Sequence, residues 1–119
     1  MTKISSLIVE IRRRLGDMKA VQVSPWELLE TVNKARAELR RIIDQYFDPP
    51  NFDVPDRAKV TEDDVLGWPV EFDELIIDYC VHSLSGLSAE IKAHWIQRVV
   101  RQAESMDKRI HIVRGYYYD

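Results

Sequence analysis

The sequence predicts an all-α fold: a small four-helix bundle with a long acidic loop between the second and third helices and an extended C-terminal arm. Apolar residues recur at three- and four-residue spacing over four separate stretches, the signature of one-sided helices. Cap and breaker residues bound those stretches, notably Gly16, Ser24-Pro25, Asp48-Pro49-Pro50 and Ser88. The chain has 119 residues, 45% apolar and 31% charged, which suits one domain with a modest core. The division read from the sequence is a helical domain over residues 1–109 and an arm over 110–119.

The first helix spans Ile4 to Leu15, with Ile4, Leu7, Ile8, Ile11 and Leu15 on one face. Gly16 suits the left-handed conformation that stops a helix. Arg12, Arg13 and Arg14 fall in the last turn, where the helix dipole favours cations. Asp17 to Val23 reads as a connector.

Ser24-Pro25-Trp26-Glu27 is a helix start: a capping serine, a proline at the first position and the glutamate of a capping box. The second helix runs to about Phe47. Its seam is Leu28, Val32, Ala35, Leu39, Ile42 and Tyr46, widened by Leu29, Ile43 and Phe47. That spacing suits an antiparallel bundle or intersubunit packing. Proline at 49 and 50 ends it.

Residues 51–69 lack a helical period and form a connection of a length often tied to function. Arg57-Ala58-Lys59-Val60 reads as a short extended piece, and Thr61 to Leu66 as one helical turn capped by Thr61. The third helix starts near Pro69 and reaches about Leu84, with Phe72, Leu75, Ile76, Tyr79, Cys80 and Leu84 on one face. Ser88 caps a fourth helix from Ala89 to about Lys108. Its apolar face is Ile91, Trp95, Ile96, Val99, Val100, Ala103 and Met106. Trp26 and Trp95 read as core, and Trp68 as a lock holding the loop to the bundle.

Ile110-His111-Ile112-Val113-Arg114-Gly115-Tyr116-Tyr117-Tyr118-Asp119 is the least ordinary stretch. A terminal segment is usually polar and frayed. A β-branched cluster and three tyrosines left in water would be an association-prone edge. The arm therefore either folds back on its own domain or lies on a neighbouring chain. The second reading makes Ile110, Ile112, Val113, Arg114, Tyr116, Tyr117 and Tyr118 partner-binding residues.

The net charge of −3 is unevenly spread. From Asp44 to Asp78 eleven acids face only Arg57 and Lys59, a net −9, and the flanks carry +6. Asp53, Asp56, Glu62, Asp63 and Asp64 are the candidates for a docking surface or a wall that repels nucleic acid.

Enzymatic constellations are missing from the sequence. Cys80 is the single cysteine, so neither a disulfide nor a thiolate zinc cluster is expected, and its apolar neighbours mark it as a buried, inert thiol. His82, His94 and His111 do not assemble a metal-ligand spacing. Cys80 and His82, two apart on a helix, point to different sides. The four glycines form no phosphate-cradling cluster. No catalysis, cofactor or metal is expected. No apolar run reaches the ~20 residues that cross a bilayer, and the N-terminal residues do not form a secretory leader. A helix-turn-helix reading fails on the long acidic connection and on the acidic balance.

The order of parts resembles the head–tail connector, or adaptor, proteins of tailed bacteriophages. The resemblance is carried by the capped helix Ser24-Pro25-Trp26-Glu27-Leu28-Leu29 through Asn33-Lys34-Ala35-Arg36-Ala37-Glu38-Leu39. It is carried also by the acidic proline-bearing connector, by Trp68-Pro69-Val70-Glu71-Phe72-Asp73-Glu74-Leu75-Ile76-Ile77-Asp78-Tyr79, and by a fourth helix with a short arm. It implies a twelve-fold ring of this chain, docked beneath the portal protein of a DNA-filled head and contacting the next neck or tail protein. DNA then passes through a negative lumen without sequence-specific binding. The place implied is the virion, assembled in the cytoplasm of a host bacterium, with no membrane partner. The chain is more compact than many adaptors, and other neck components such as stoppers and tail terminators are richer in β structure. The competing class is a small helical DNA-binding regulator or protein-interaction module.

Overall fold

The computed structural model describes residues 2–17, 22–47, 50 and 52–118, with side-chain surroundings given as far as residue 106. Four α-helices follow one another: α1 (Ile4–Leu15), α2 (Pro25–Tyr46), α3 (Asp73–Ser85) and α4 (Ala89–Tyr118). A single 3-10 turn, Val70–Phe72, leads into α3. Among the described residues there is no strand, and the only β pairing is an isolated antiparallel bridge between Lys3 and Val65.

Both ends of α1 and the starts of α2 and α4 follow the sequence signals. Gly16 takes φ +70°. Its amide donates to the Arg13 carbonyl and that of Asp17 to Arg12, at 3.2 and 2.9 Å. Those two bonds satisfy carbonyls that the last turn of α1 leaves open. At the start of α2, the Ser24 hydroxyl accepts from the Glu27 amide at 3.1 Å. Ser88 repeats the arrangement for α4, accepting from the Ile91 amide at 3.1 Å. Gly86, at φ +135°, lets the chain turn between α3 and α4.

The core is centred on α3, which packs against each of the other helices. Between Leu75 and Cys80 every residue is buried except Asp78. A helix apolar on nearly all sides belongs inside a bundle. α1 delivers Ile4, Leu7, Ile8 and Ile11; α2 delivers Leu28, Val32, Ala35, Leu39, Ile42 and Ile43; α4 delivers Trp95, Val99, Ala103 and Met106. Trp95 lies against Tyr79 with ring centroids 4.9 Å apart. Its indole Nε1 donates to the Leu75 carbonyl at 2.7 Å, so its one polar atom is satisfied inside the core.

Four expectations are corrected. Trp26 is 71% exposed rather than core: it precedes Leu28 by two residues, and that offset puts it on the opposite side of α2. Tyr46 is 55% exposed although it keeps the phase of the α2 seam. It is the last residue of α2, and Phe47, which follows it, is the residue there that packs against the core. Residues 61–66 form a hydrogen-bonded turn rather than a helical one. There the Asp64 carboxylate accepts from the Thr61 amide at 2.7 Å, closing the loop before a helix can propagate. Finally, α4 has its backbone helical to Tyr118 instead of ending near Lys108. Between Asp107 and Arg114 there is neither glycine nor proline, so each added residue gains a helical bond at little cost. The side chains proposed for the arm, Ile110 to Tyr118, lie outside the described surroundings, as does Asp119.

Candidate functional site

The long connection between α2 and α3 is held down at both ends and in the middle. Its C-terminal part meets the residues before α1: the Leu66 amide donates to the Thr2 carbonyl at 2.8 Å and the Ile4 amide to the Asp64 carbonyl at 3.0 Å. Its middle is gripped by polar side chains of α2. Asn33 exchanges two bonds with Val60, accepting from its amide at 2.9 Å and donating to its carbonyl at 3.1 Å. Arg36 donates to the carbonyls of Leu66 at 3.2 Å and Ala58 at 2.9 Å. Arg40 donates to the Pro55 carbonyl at 2.6 Å. Asn33, Arg36 and Arg40 are one turn or less apart, so they present a single polar ridge to the loop. Trp68 is buried and meets Phe72 edge-on at 5.5 Å; the lock expected of it is present. Gly67, at φ +86°, passes so close to Pro55 that an added Cβ would lie 2.9 Å from its Cβ.

The acidic run does not form one surface. Asp78 bonds Arg14 of α1 at 3.1 Å and Arg98 of α4 at 2.8 Å. Glu74 pairs with Arg14 at 2.6 Å, and that pairing holds its carboxyl below the ordinary value. Asp44 pairs with Arg40 at 3.1 Å and Arg57 at 2.6 Å. Asp73 accepts from the Thr2 hydroxyl, and burial pushes its carboxyl up. These acids hold the bundle together.

The five acids singled out from the sequence are all exposed. They divide in two by role. Asp56 and Asp64 close local turns, Asp56 by accepting from the Ala58 amide at 2.9 Å. Asp53, Glu62 and Asp63 have no hydrogen-bond or ion-pair partner among the described residues. The loop's two bases, by contrast, line a pocket against α2. Lys34, Arg36, Arg40, Arg57 and Lys59 contribute cations to it, Glu30 and Asp56 carboxylates, and Pro55, Ala37 and Trp68 its apolar wall; the volume is about 330 Å³. Sequence reasoning missed this pocket because it read α2 for its apolar seam. The signal was present in Lys34, Arg36 and Arg40, which share a stretch of α2 opposite a loop carrying Arg57 and Lys59.

A second ionic centre was also missed. The Arg12 guanidinium bonds Asp17 at 3.1 Å and the Val23 carbonyl at 2.9 Å. Asp17 is 3% exposed and also accepts from the Gln22 and Val23 amides. This buried pair fixes the angle between α1 and α2 and needs no ligand.

Burial pushes the Cys80 thiol up to about 12, so the cysteine is an inert core group as expected. Among the described residues no cluster of three metal-ligating side chains occurs, and no helix is long and apolar enough to cross a membrane. No protein family, curated protein or solved structure matches this chain.

Proposed function

We propose that the chain is a non-enzymatic structural subunit of the virion of a tailed bacteriophage, an adaptor whose ring joins the portal of the filled head to the neck or tail. The observation that carries this reading is the sorting of charge along the α2–α3 loop. The loop is lashed to α2 through its main chain, its bases line a pocket against α2, and Asp53, Glu62 and Asp63 are exposed, without partners among the described residues. A firmly held rim of unpaired carboxylates repels a phosphate backbone at short range. Repeated around a ring, such a rim supplies a lumen in which DNA slides without sticking. The all-α bundle agrees with the same reading. So does a fourth helix whose backbone runs 12 residues past Met106 into the Tyr116-Tyr117-Tyr118 stretch.

In this reading the domain buries its own core and residues 110–119 supply contacts to the portal or to the next copy. At about 25 cal/mol per Å² of apolar surface, a few hundred Å² per subunit is decisive when repeated around a ring. Ordering the segment offsets part of that gain.

The test is to mix the purified protein with portal rings of the phage that encodes it and to image the product by electron microscopy. The full-length chain is expected to add a symmetric layer beneath the portal. A chain lacking residues 110–119 is expected to remain a folded helical monomer by circular dichroism and to leave the portal bare. A full-length chain that ignores the portal but binds duplex DNA with steep salt dependence would replace this reading with that of a helical regulator.

A further inference from the structure

The pocket between α2 and the loop has no part in the adaptor reading. Its lining is dominated by cations, although nearly half of its wall comes from the acidic connection between α2 and α3. Lys34, Arg36, Arg40, Arg57 and Lys59 outnumber Glu30 and Asp56. Asp44, outside the pocket, pairs with Arg40 and Arg57, and Glu30 lies 4.0 Å from Lys59; Lys34 and Arg36 form no salt bridge among the described residues.

Arg36 is the informative residue. It is 7% exposed, yet no carboxylate among the described residues forms a salt bridge with it. Asp56 and Asp64 act on it only at longer range, and burial pulls its guanidinium below the ordinary arginine value. Its Nε and Nη1 are spent on the Leu66 and Ala58 carbonyls. Nη2 has no hydrogen bond among the described residues. A buried charge without a counter-ion is costly, and a guanidinium with a free edge on a pocket is a preformed anion receptor.

Arg40 stands one helical turn further along α2 and lines the same pocket; its Nε bonds Asp44 and its Nη1 the Pro55 carbonyl, so it too brings only its Nη2 edge. Two guanidinium edges together with the Lys34 ammonium offer more donors than the two oxygens of a carboxylate use, and suit the several oxygens of a phosphoryl group. The apolar wall of Pro55, Ala37 and Trp68 has no use for a bare inorganic ion. At about 330 Å³ the space reaches the lower end of small-molecule sites, roughly 300–1,000 Å³. We infer that this pocket binds a small organic phosphate, with Arg36 and Arg40 holding the phosphoryl group, Lys34 and Lys59 at the mouth, and the organic part against Pro55 and Trp68. A nucleic-acid strand carries the same group, but Asp53, Glu62 and Asp63 on the same loop oppose a long polyanion.

The experiment is a titration of the full chain, followed by amide chemical shifts, with inorganic phosphate, pyrophosphate, adenosine monophosphate and a single-stranded oligonucleotide, each against sodium chloride of matched ionic strength. Saturable binding of adenosine monophosphate is expected, tighter than that of inorganic phosphate, with shifts confined to Asn33–Arg40, Pro55–Lys59 and Trp68. Lys34→Gln with Lys59→Gln, both at exposed positions, should weaken binding about ten-fold without changing the fold. Arg36→Met should abolish it. Three results would overturn the inference: shifts that chloride reproduces, binding untouched by the Lys34→Gln/Lys59→Gln pair, or saturation by the oligonucleotide alone. The last would assign the pocket to nucleic acid.

Discussion

Asn33 holds Val60 as a neighbouring strand would, taking its amide hydrogen at 2.9 Å and giving a hydrogen to its carbonyl at 3.1 Å. Val60 is buried, so neither main-chain group has water as a ready substitute. Asn33→Ala leaves both unpaired and should cost about 1–3 kcal/mol. Hydrogen exchange at the Val60 amide should accelerate in the variant before global unfolding is reached. Asn33→Asp retains the acceptor but loses the donor, and should fall between the two.

Gly67→Ala should destabilise the protein more than its small change in volume suggests. The residue sits at φ +86°, and the new Cβ would press on Pro55 at 2.9 Å. The left-handed backbone alone costs about 1–2 kcal/mol for a side-chain-bearing residue. Because Pro55 also supplies the carbonyl bonded by Arg40, the strain should spread into the loop. Thermal melting should show a lowered midpoint, whereas Gly16→Asn, in open space at φ +70°, should be nearly neutral since asparagine tolerates that region.

Acid should loosen the junction of α1, α3 and α4. Hydrogen bonds from Arg13 and Arg14 hold the Glu10 carboxyl down at about 2, against an ordinary value of 4.5, and Arg14 lowers Glu74 as well. A carboxylate lowered in the fold contributes stability that is present above its unfolded value and is lost as pH falls through the folded one. The loss should therefore develop between pH 4.5 and about 2. Solvent screening keeps it modest, because these groups lie at the surface. Asp73 works in the opposite sense, since burial raises its carboxyl. Arg14→Met should flatten the acid limb of a stability–pH curve measured by urea unfolding.

Cys80 should resist thiol reagents in the native state and react fully in denaturant. With its folded value near 12, above the ordinary 9.0, the protonated thiol favours the fold. Its contribution is complete below pH 9 and is lost as pH rises toward 12. Labelling rates across that range should follow the unfolding equilibrium and not the thiol's own ionisation.

Of the three tryptophans, Trp26 alone is open to solvent; Trp68 and Trp95 are both 2% exposed. Iodide should quench a single red-shifted component of the fluorescence, and Trp26→Phe should remove it while leaving the melting curve within about 0.5 kcal/mol of the parent. Trp95→Phe should cost more, since the Leu75 carbonyl loses its indole donor inside the core.

The helices were legible in the sequence wherever local chemistry decides. Ile4 and Leu15 mark the ends of α1 and Pro25 the start of α2, because caps and left-handed glycines act over a few residues. The burial of Cys80 and Trp95 followed from their apolar neighbours. The misplaced groups are those governed by distant partners. Tyr46 has the right phase for the core, but at the end of α2 it is Phe47 that packs there. Arg12 reads as a dipole-compensating cation, yet it is buried against Asp17 by the fold of the connector. Arg36 and Arg40 look like the outer face of a helix until the loop closes over them. Charge counting along the chain likewise merged acids that three dimensions separate: Glu74 and Asp78 bind arginines of other helices, whereas Asp53, Glu62 and Asp63 stand apart.

The bonds that Asn33, Arg36 and Arg40 of α2 make to the loop end on main-chain atoms: the Val60 amide and carbonyl and the carbonyls of Pro55, Ala58 and Leu66. Every amino acid brings a carbonyl, so the clasp is indifferent to most of the residues it holds. Mutations at Asp53, Glu62 or Asp63 can thus rewrite the electrostatic character of the rim without touching the scaffold beneath it. Substitution at those exposed acids has a free hand, while Asn33, Arg36, Arg40 and Gly67 carry the burden of keeping the shape.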